Sequence, residues 1–157
     1  MIEDAYTPFL REFERWISLA KYRNDLDVTP LAKEAGRYLQ TRPPLPHVAP
    51  CLGAIYFAVI EFEFDFSWWQ RLAVRAGVWL LRAWVFRGRP MWNDFWMCLW
   101  QLSRDPRYIG RLHSHLKHAN PIQLETGVWM VTSVCQQDPE FNEHWHDVIR
   151  ERGEVFA

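Results

Sequence analysis

The side chains with chemistry to offer gather in a few places. His113, His115 and His118 crowd one segment, and His144 and His146 another. Imidazole is a common metal ligand. Successive helical residues turn by about 100°, so positions 113 and 115 point about 200° apart, whereas 115 and 118 share a face. Only His115 and His118 could chelate together, and a carboxylate would have to complete the site. The H-E-x-x-H spacing of a helical zinc site is absent. Glu61, Glu63 and Asp65 could exchange protons, but carboxylates without a positioned partner or cleft are commonplace. Glycine-rich phosphate loops and G-x-S-x-G are also missing. Cys51, Cys98 and Cys135 are odd in number, far apart and set in apolar runs, which reads as buried reduced thiols in a cytosolic protein. No catalytic residue and no cofactor is therefore expected.

Cationic and aromatic residues offer binding instead. Arg71, Arg75 and Arg82 recur at i, i+4 and i+11, a narrow basic face on an apolar segment carrying Trp69, Leu72, Trp79, Leu80 and Trp84. Such a helix either packs in the core with its stripe at the solvent edge, pairing with Glu61 and Asp65, or lies on an anionic membrane with its tryptophans inserted. A surface-lying helix wants a broad basic side, so core packing is the expectation and membrane docking its rival. Trp92, Trp96 and Trp100 repeat every four residues beside Phe95, Leu99 and Leu102. They form either a bulky core or an exposed aromatic groove. Seven of the ten tryptophans fall between residues 68 and 100, so this choice bears on the whole middle of the chain.

Charge narrows the partners. A net charge of −1 argues against nucleic acid. Residues 66–118 nevertheless carry 9 basic and 2 acidic groups between acidic flanks, and neutralisation within the fold is expected. Ile2, Glu3 and Asp4 do not read as a signal peptide. The apolar stretches 48–60 and 78–86 are too short or too near arginine for a span of about 20 residues. The expected location is cytoplasmic.

The elements that would position these residues follow from apolar spacing and proline placement. Tyr6, Phe9, Phe13 and Trp16 mark one helix face, with Thr7-Pro8 as its cap and first turn; Thr29-Pro30 repeats that signal before a short helix to about Gln40. Pro43, Pro44 and Pro46 predict an extended connection over 42–49. A helix is expected from Pro50 to about Phe64, although residues 60–66 alternate apolar and acidic as a half-buried strand would. Another is expected over 67–86. Beyond Pro90 the chain repeats itself at an offset of 33 residues. Trp96-Met97, Asp105-Pro106, Tyr108, Leu112, His113 and Leu116 match Trp129-Met130, Asp138-Pro139, Phe141, Trp145, His146 and Ile149. The prediction is two copies of a helix-turn-helix unit, each burying its apolar face against its neighbours. On this pattern His113 and His146 are a structural position of the repeat.

The segment from Asn120 through Trp129 to Val134 resembles the third helix of an armadillo repeat, and helix pairs joined at Asp-Pro are similar to HEAT repeats. The resemblance covers about 60 residues well and implies a right-handed superhelix whose inner helices line a groove for a peptide or partner protein. Peptide-binding armadillo proteins carry a groove tryptophan followed four residues later by asparagine. Here Trp129 is followed by Ser133 and Trp96 by Trp100, so the asparagine half is missing and a general protein-binding surface is implied.

The reading of residues 1–157 is thus one all-α domain, a short α-α superhelix of six to eight helices. Residues 1–41 form capping helices and 50–157 the repeat units. Its expected role is a non-enzymatic protein–protein interaction module, an adaptor or an inhibitor of the immunity-protein kind. The binding residues would be Trp92, Trp96, Trp100, Trp129 and Ser133. A peripheral membrane protein using Arg71, Arg75 and Arg82 is the alternative, and a metal-dependent enzyme built on His115 and His118 the third. Self-association stays open.

Overall fold

A computed structural model describes residues 6–19, 27–61, 67–85 and 87–155. These form α1 (Thr7–Ser18), α2 (Thr29–Leu39), α3 (Leu45–Ile60), α4 (Trp68–Leu80), α5 (Met91–Ser103), α6 (Pro106–Lys117), α7 (Pro121–Gln137) and α8 (Pro139–Arg152). A π-helical turn, Leu81–Val85, extends α4. No strand occurs among the described residues, so the chain is all-α. The strand-or-helix question at 60–66 falls largely on residues 62–66, outside the described residues.

Proline starts most of these helices. It occupies the first two positions of α1, α2, α3, α6, α7 and α8, where the missing N–H would have had no intrahelical partner anyway. Asp105 and Asp138 cap α6 and α8, accepting from the Arg107 and Phe141 backbone N–H at 3.0 and 3.1 Å. Asn120 and Gln123 close a capping box on α7. The threonine caps are corrected. Thr7 and Thr29 are the first helical residues, and Asp27 Oδ1 accepts from the Thr29 N–H at 2.9 Å.

The connection expected over 42–49 is also shorter than predicted. Helix α3 begins at Leu45, with Pro46 tolerated in its first turn and Pro50 inside it. Pro50 forfeits one backbone hydrogen bond. The gain is a continuous buried face of Ala49, Cys51, Gly53, Ala54, Phe57 and Ala58. This face lies on α5, and its residues around Gly53 are small for a reason: a Cβ on Gly53 would sit 3.3 Å from Cys98 Cβ and 3.7 Å from the Phe95 carbonyl oxygen. The two helices approach too closely for larger side chains.

Helix α5 is the centre of the molecule. It packs against α3, α6, α1 and α7, and so is buried nearly all round. The Trp16 indole of α1 donates to the Leu102 carbonyl at 2.9 Å, and Trp92 meets Phe95 edge-on. The turns after α5 and α7 are tied together. Arg104, in the left-handed region at φ 56°, extends its guanidinium 2.6 Å to Asp138 and stacks over Trp100.

Candidate functional site

The two tryptophan groups lie in opposite environments, which decides the open choice at Trp92, Trp96 and Trp100 and corrects the core packing expected of the α4 segment. Trp92, Trp96 and Trp100 are 1%, 4% and 0% exposed, so they are core and not an exposed groove. The reason is that helices cover every side of α5. By contrast, the α4 segment expected in the core presents Trp68, Trp69, Leu72, Trp79, Leu80 and Trp84 to solvent, with Trp68 at 77% and Trp84 at 74% exposure. Val78 alone among the described α4 residues is buried.

The basic stripe turns the other way. Arg75 is exposed, whereas Arg71 and Arg82 are half-buried and face the body of the protein. Arg82 lies 4.8 Å from the centre of the Trp96 ring, and Arg111 of α6 lies 5.8 Å from the same centre. Burial, and behind it the Arg111 charge, push the Arg82 guanidinium pKa down. The pairing expected with Glu61 is replaced: its carboxylate accepts from the Tyr108 hydroxyl at 2.5 Å. Asp65 and Glu63 lie outside the described residues.

Neutralisation of the basic middle is therefore uneven. Arg104 pairs with Asp138, and Arg107 with Asp105 at 2.6 Å. Arg82, Arg87 and Arg111 have no ion pair among the described residues, and together they line a cleft of about 560 Å³. His115 of α6 and His118, at the C-cap of that helix, line it too. The residues with them are cationic or neutral, which opposes a metal cation. Burial and the Arg82 charge lower the His115 pKa to about 4. Among the described residues no three His, Cys, Asp or Glu side chains are placed to hold a metal. Sequence spacing could not bring Arg82 and Arg111 together, because they lie on separate helices.

The remaining candidates divide. Trp129 is 75% exposed on α7, with Ser133 exposed one turn later. His113 is buried and bonds the Gly153 carbonyl oxygen at 2.8 Å, but its repeat counterpart His146 is exposed. The two are not one structural position. His144 meets the Trp100 ring edge-on. Cys51 and Cys98 are buried, Cys135 is half-buried, and none is in a disulfide. Burial pushes the Cys51 thiol up to about 12 and raises the other two as well, which leaves all three poor nucleophiles. No helix among the described residues is long and apolar enough to cross a membrane. In comparisons with known proteins, no family model matches this chain, and no curated protein or solved structure is significantly similar to it.

Proposed function

We propose that this chain is a non-enzymatic interaction module that engages a partner protein through the outer face of α4. The observation that carries this reading is the cluster of six large apolar side chains exposed on one helix and its π-helical extension. At roughly 200 Å² per large aromatic side chain, they present on the order of 700 Å² of apolar surface. That exceeds the largest patch of a typical monomer, about 300–600 Å². It approaches the roughly 800 Å² per partner of a stable complex.

Charge describes the partner. Arg75, Arg87 and Arg89 are exposed and residues 67–93 contain no carboxylate, so an apolar surface rimmed by acidic groups is the complement. A second copy fits less well, because pairing α4 with itself about a two-fold axis sets cationic helices against each other. In the same proposal α5–α6 and α7–α8 are two HEAT- or armadillo-like units, supported by their matching aspartate caps and the buried pairs Tyr108/Phe141 and Leu112/Trp145. The module then serves as an adaptor or inhibitor in the cytoplasm.

A second reading, docking on an anionic bilayer, is favoured by the exposed side chains themselves. Four of the six are tryptophan, which suits the water–lipid boundary. One experiment separates the readings. Native-lysate crosslinking is run on the wild type and on a Trp68→Ser/Trp84→Ser variant whose fold is checked by circular dichroism, beside sedimentation with anionic vesicles. Crosslinks from α4 to an acidic protein, lost in the variant, are expected. Salt-sensitive vesicle binding without such crosslinks would replace the protein reading with the membrane one.

A further inference from the structure

The cleft beneath the π-helical turn combines strong cationic character with a structural support that the docking face does not need. Arg82 descends from the turn, Arg111 and His115 rise from α6, and Arg87 stands at the rim. Among the described residues none of the three arginines has a carboxylate partner, and no aspartate or glutamate lines the cleft. Arg82 is half-buried without an ion pair, so a bound anion would offset its desolvation, while Arg87 and Arg111 are exposed and add their charge at the opening. His115 Nε2 adds a second unmet demand. It is shielded from solvent and has no hydrogen-bond partner among the described residues.

The wall is held in place by side-chain amides donating to backbone carbonyls rather than by the cations themselves. Gly88, at φ 79°, turns the chain so that its carbonyl accepts from Asn120 Nδ2 at 3.1 Å, and the Arg89 carbonyl accepts from Gln123 Nε2 at 3.2 Å. A Cβ on Gly88 would stand 2.9 Å from that same amide nitrogen, so this turn needs glycine. Both guanidinium groups rest on the Trp96 indole, which restricts them before any ligand arrives.

We infer that this cleft is an anion site for a phosphoryl group, bound by the Arg82 and Arg111 guanidiniums above the Trp96 ring. Guanidinium donates paired N–H groups that match phosphate oxygens, and a multiply charged anion answers several uncompensated cations better than a carboxylate does. The volume lies within the range of small-molecule sites, about 300–1,000 Å³, and exceeds the need of inorganic phosphate alone. The phosphoryl group is therefore carried on a larger body, either a free small molecule or a lipid headgroup. The same cations oppose a metal ion at His115 and His118. This inference is independent of the docking face on α4.

The test titrates pyrophosphate into the full-length chain by calorimetry at constant ionic strength, with vesicles of phosphatidylcholine, alone and containing phosphatidic acid, in parallel. Arg111→Gln is the principal variant because Arg111 is exposed and its loss leaves the core intact; Arg82→Gln is the second, and Arg37→Gln, remote on α2, the control. Saturable pyrophosphate binding that weakens roughly tenfold or more in Arg111→Gln and is unchanged in Arg37→Gln is expected. Binding to phosphatidic acid vesicles with the same dependence on Arg111, but none to pyrophosphate, supports the site and assigns the phosphoryl group to a lipid. No saturable binding to either probe, or equal binding by Arg111→Gln and Arg37→Gln, overturns it. Trp68→Ser/Trp84→Ser, which removes the docking face, is expected to retain pyrophosphate binding, so the two readings fail separately.

Discussion

Helices α4 and α5 follow one another in the chain, each is rich in tryptophan at helical spacing, and they end in opposite environments. Trp92, Trp96 and Trp100 pack among α1, α3, α6 and α7, while Trp68, Trp69, Trp79 and Trp84 meet solvent. A tryptophan row is equally suited to either place, because its apolar area can be removed from water by the chain itself or by a partner. The difference teaches that aromatic content marks a helix for burial without saying by what. The same contrast recurs across the repeat: Trp96 is buried, and its counterpart Trp129, 33 residues later, is exposed.

The comparison breaks first in the core. Replacing Trp92 or Trp100 by alanine leaves a large cavity in α5 and should cost about 3–5 kcal/mol, read as a fall in the urea midpoint. If either changes stability no more than a surface substitution does, the burial contrast between the helices is wrong. Asp138→Ala comes next. It removes the α8 cap, the Arg104 ion pair and the acceptor of the Trp100 indole together, for about 2–3 kcal/mol, whereas Asp105→Ala should cost only about 1 kcal/mol. Equal losses would show that the link between the two turns contributes nothing.

Acid sharpens the contrast further. Burial raises the Asp138 carboxyl, but hydrogen bonds from the Phe141 N–H, Arg104 and the Trp100 indole outweigh it, so the folded pKa lies below the ordinary aspartate value of 3.8. The stabilisation is present above 3.8 and is lost as pH falls through the folded value. His115 acts in a higher window. Its folded pKa, about 4, is below the unfolded 6.5, so the unfolded chain binds the proton first and stability declines as pH falls from 6.5 toward 4. His115→Gln should flatten that part of a stability–pH profile. An unchanged slope would mean the imidazole is not shielded. The smallest effects belong to the exposed tryptophans. Trp84→Ala and Trp129→Ala should each shift stability by no more than about 0.5 kcal/mol, and a loss several times larger would place those rings in a packed interior.

Much of the helical framework was legible in local chemistry. Asp-Pro at 105–106 and 138–139 and Asn-Pro at 120–121 mark helix starts, because a capping side chain and a proline act within a few residues. Pro46 sits in the first turn of α3 and removes no bond, but the same rule misled at Pro50, which lies inside α3, where burial against α5 outweighs the one bond that proline removes. It also placed the caps of α1 and α2 on the threonines, since it could not register that Asp27 serves α2 from two residues away. The candidate site was less legible. His115 and His118 were visible as a pair, but two of the cations that change their meaning, Arg82 and Arg87, come from the turn that follows α4.

The sequence by itself determined the all-helical character, the turns at the Asp-Pro steps and the inert setting of Cys51 and Cys98, since each depends on neighbours a few positions away or on apolar context. Tertiary structure decided which tryptophan helix became core, which arginines turned inward and where their charge went unmatched. Those outcomes depend on which faces the other helices cover. Coverage is a property of contacts between residues distant in the chain, such as Arg82 and Arg111 over Trp96, for which sequence spacing carries no record.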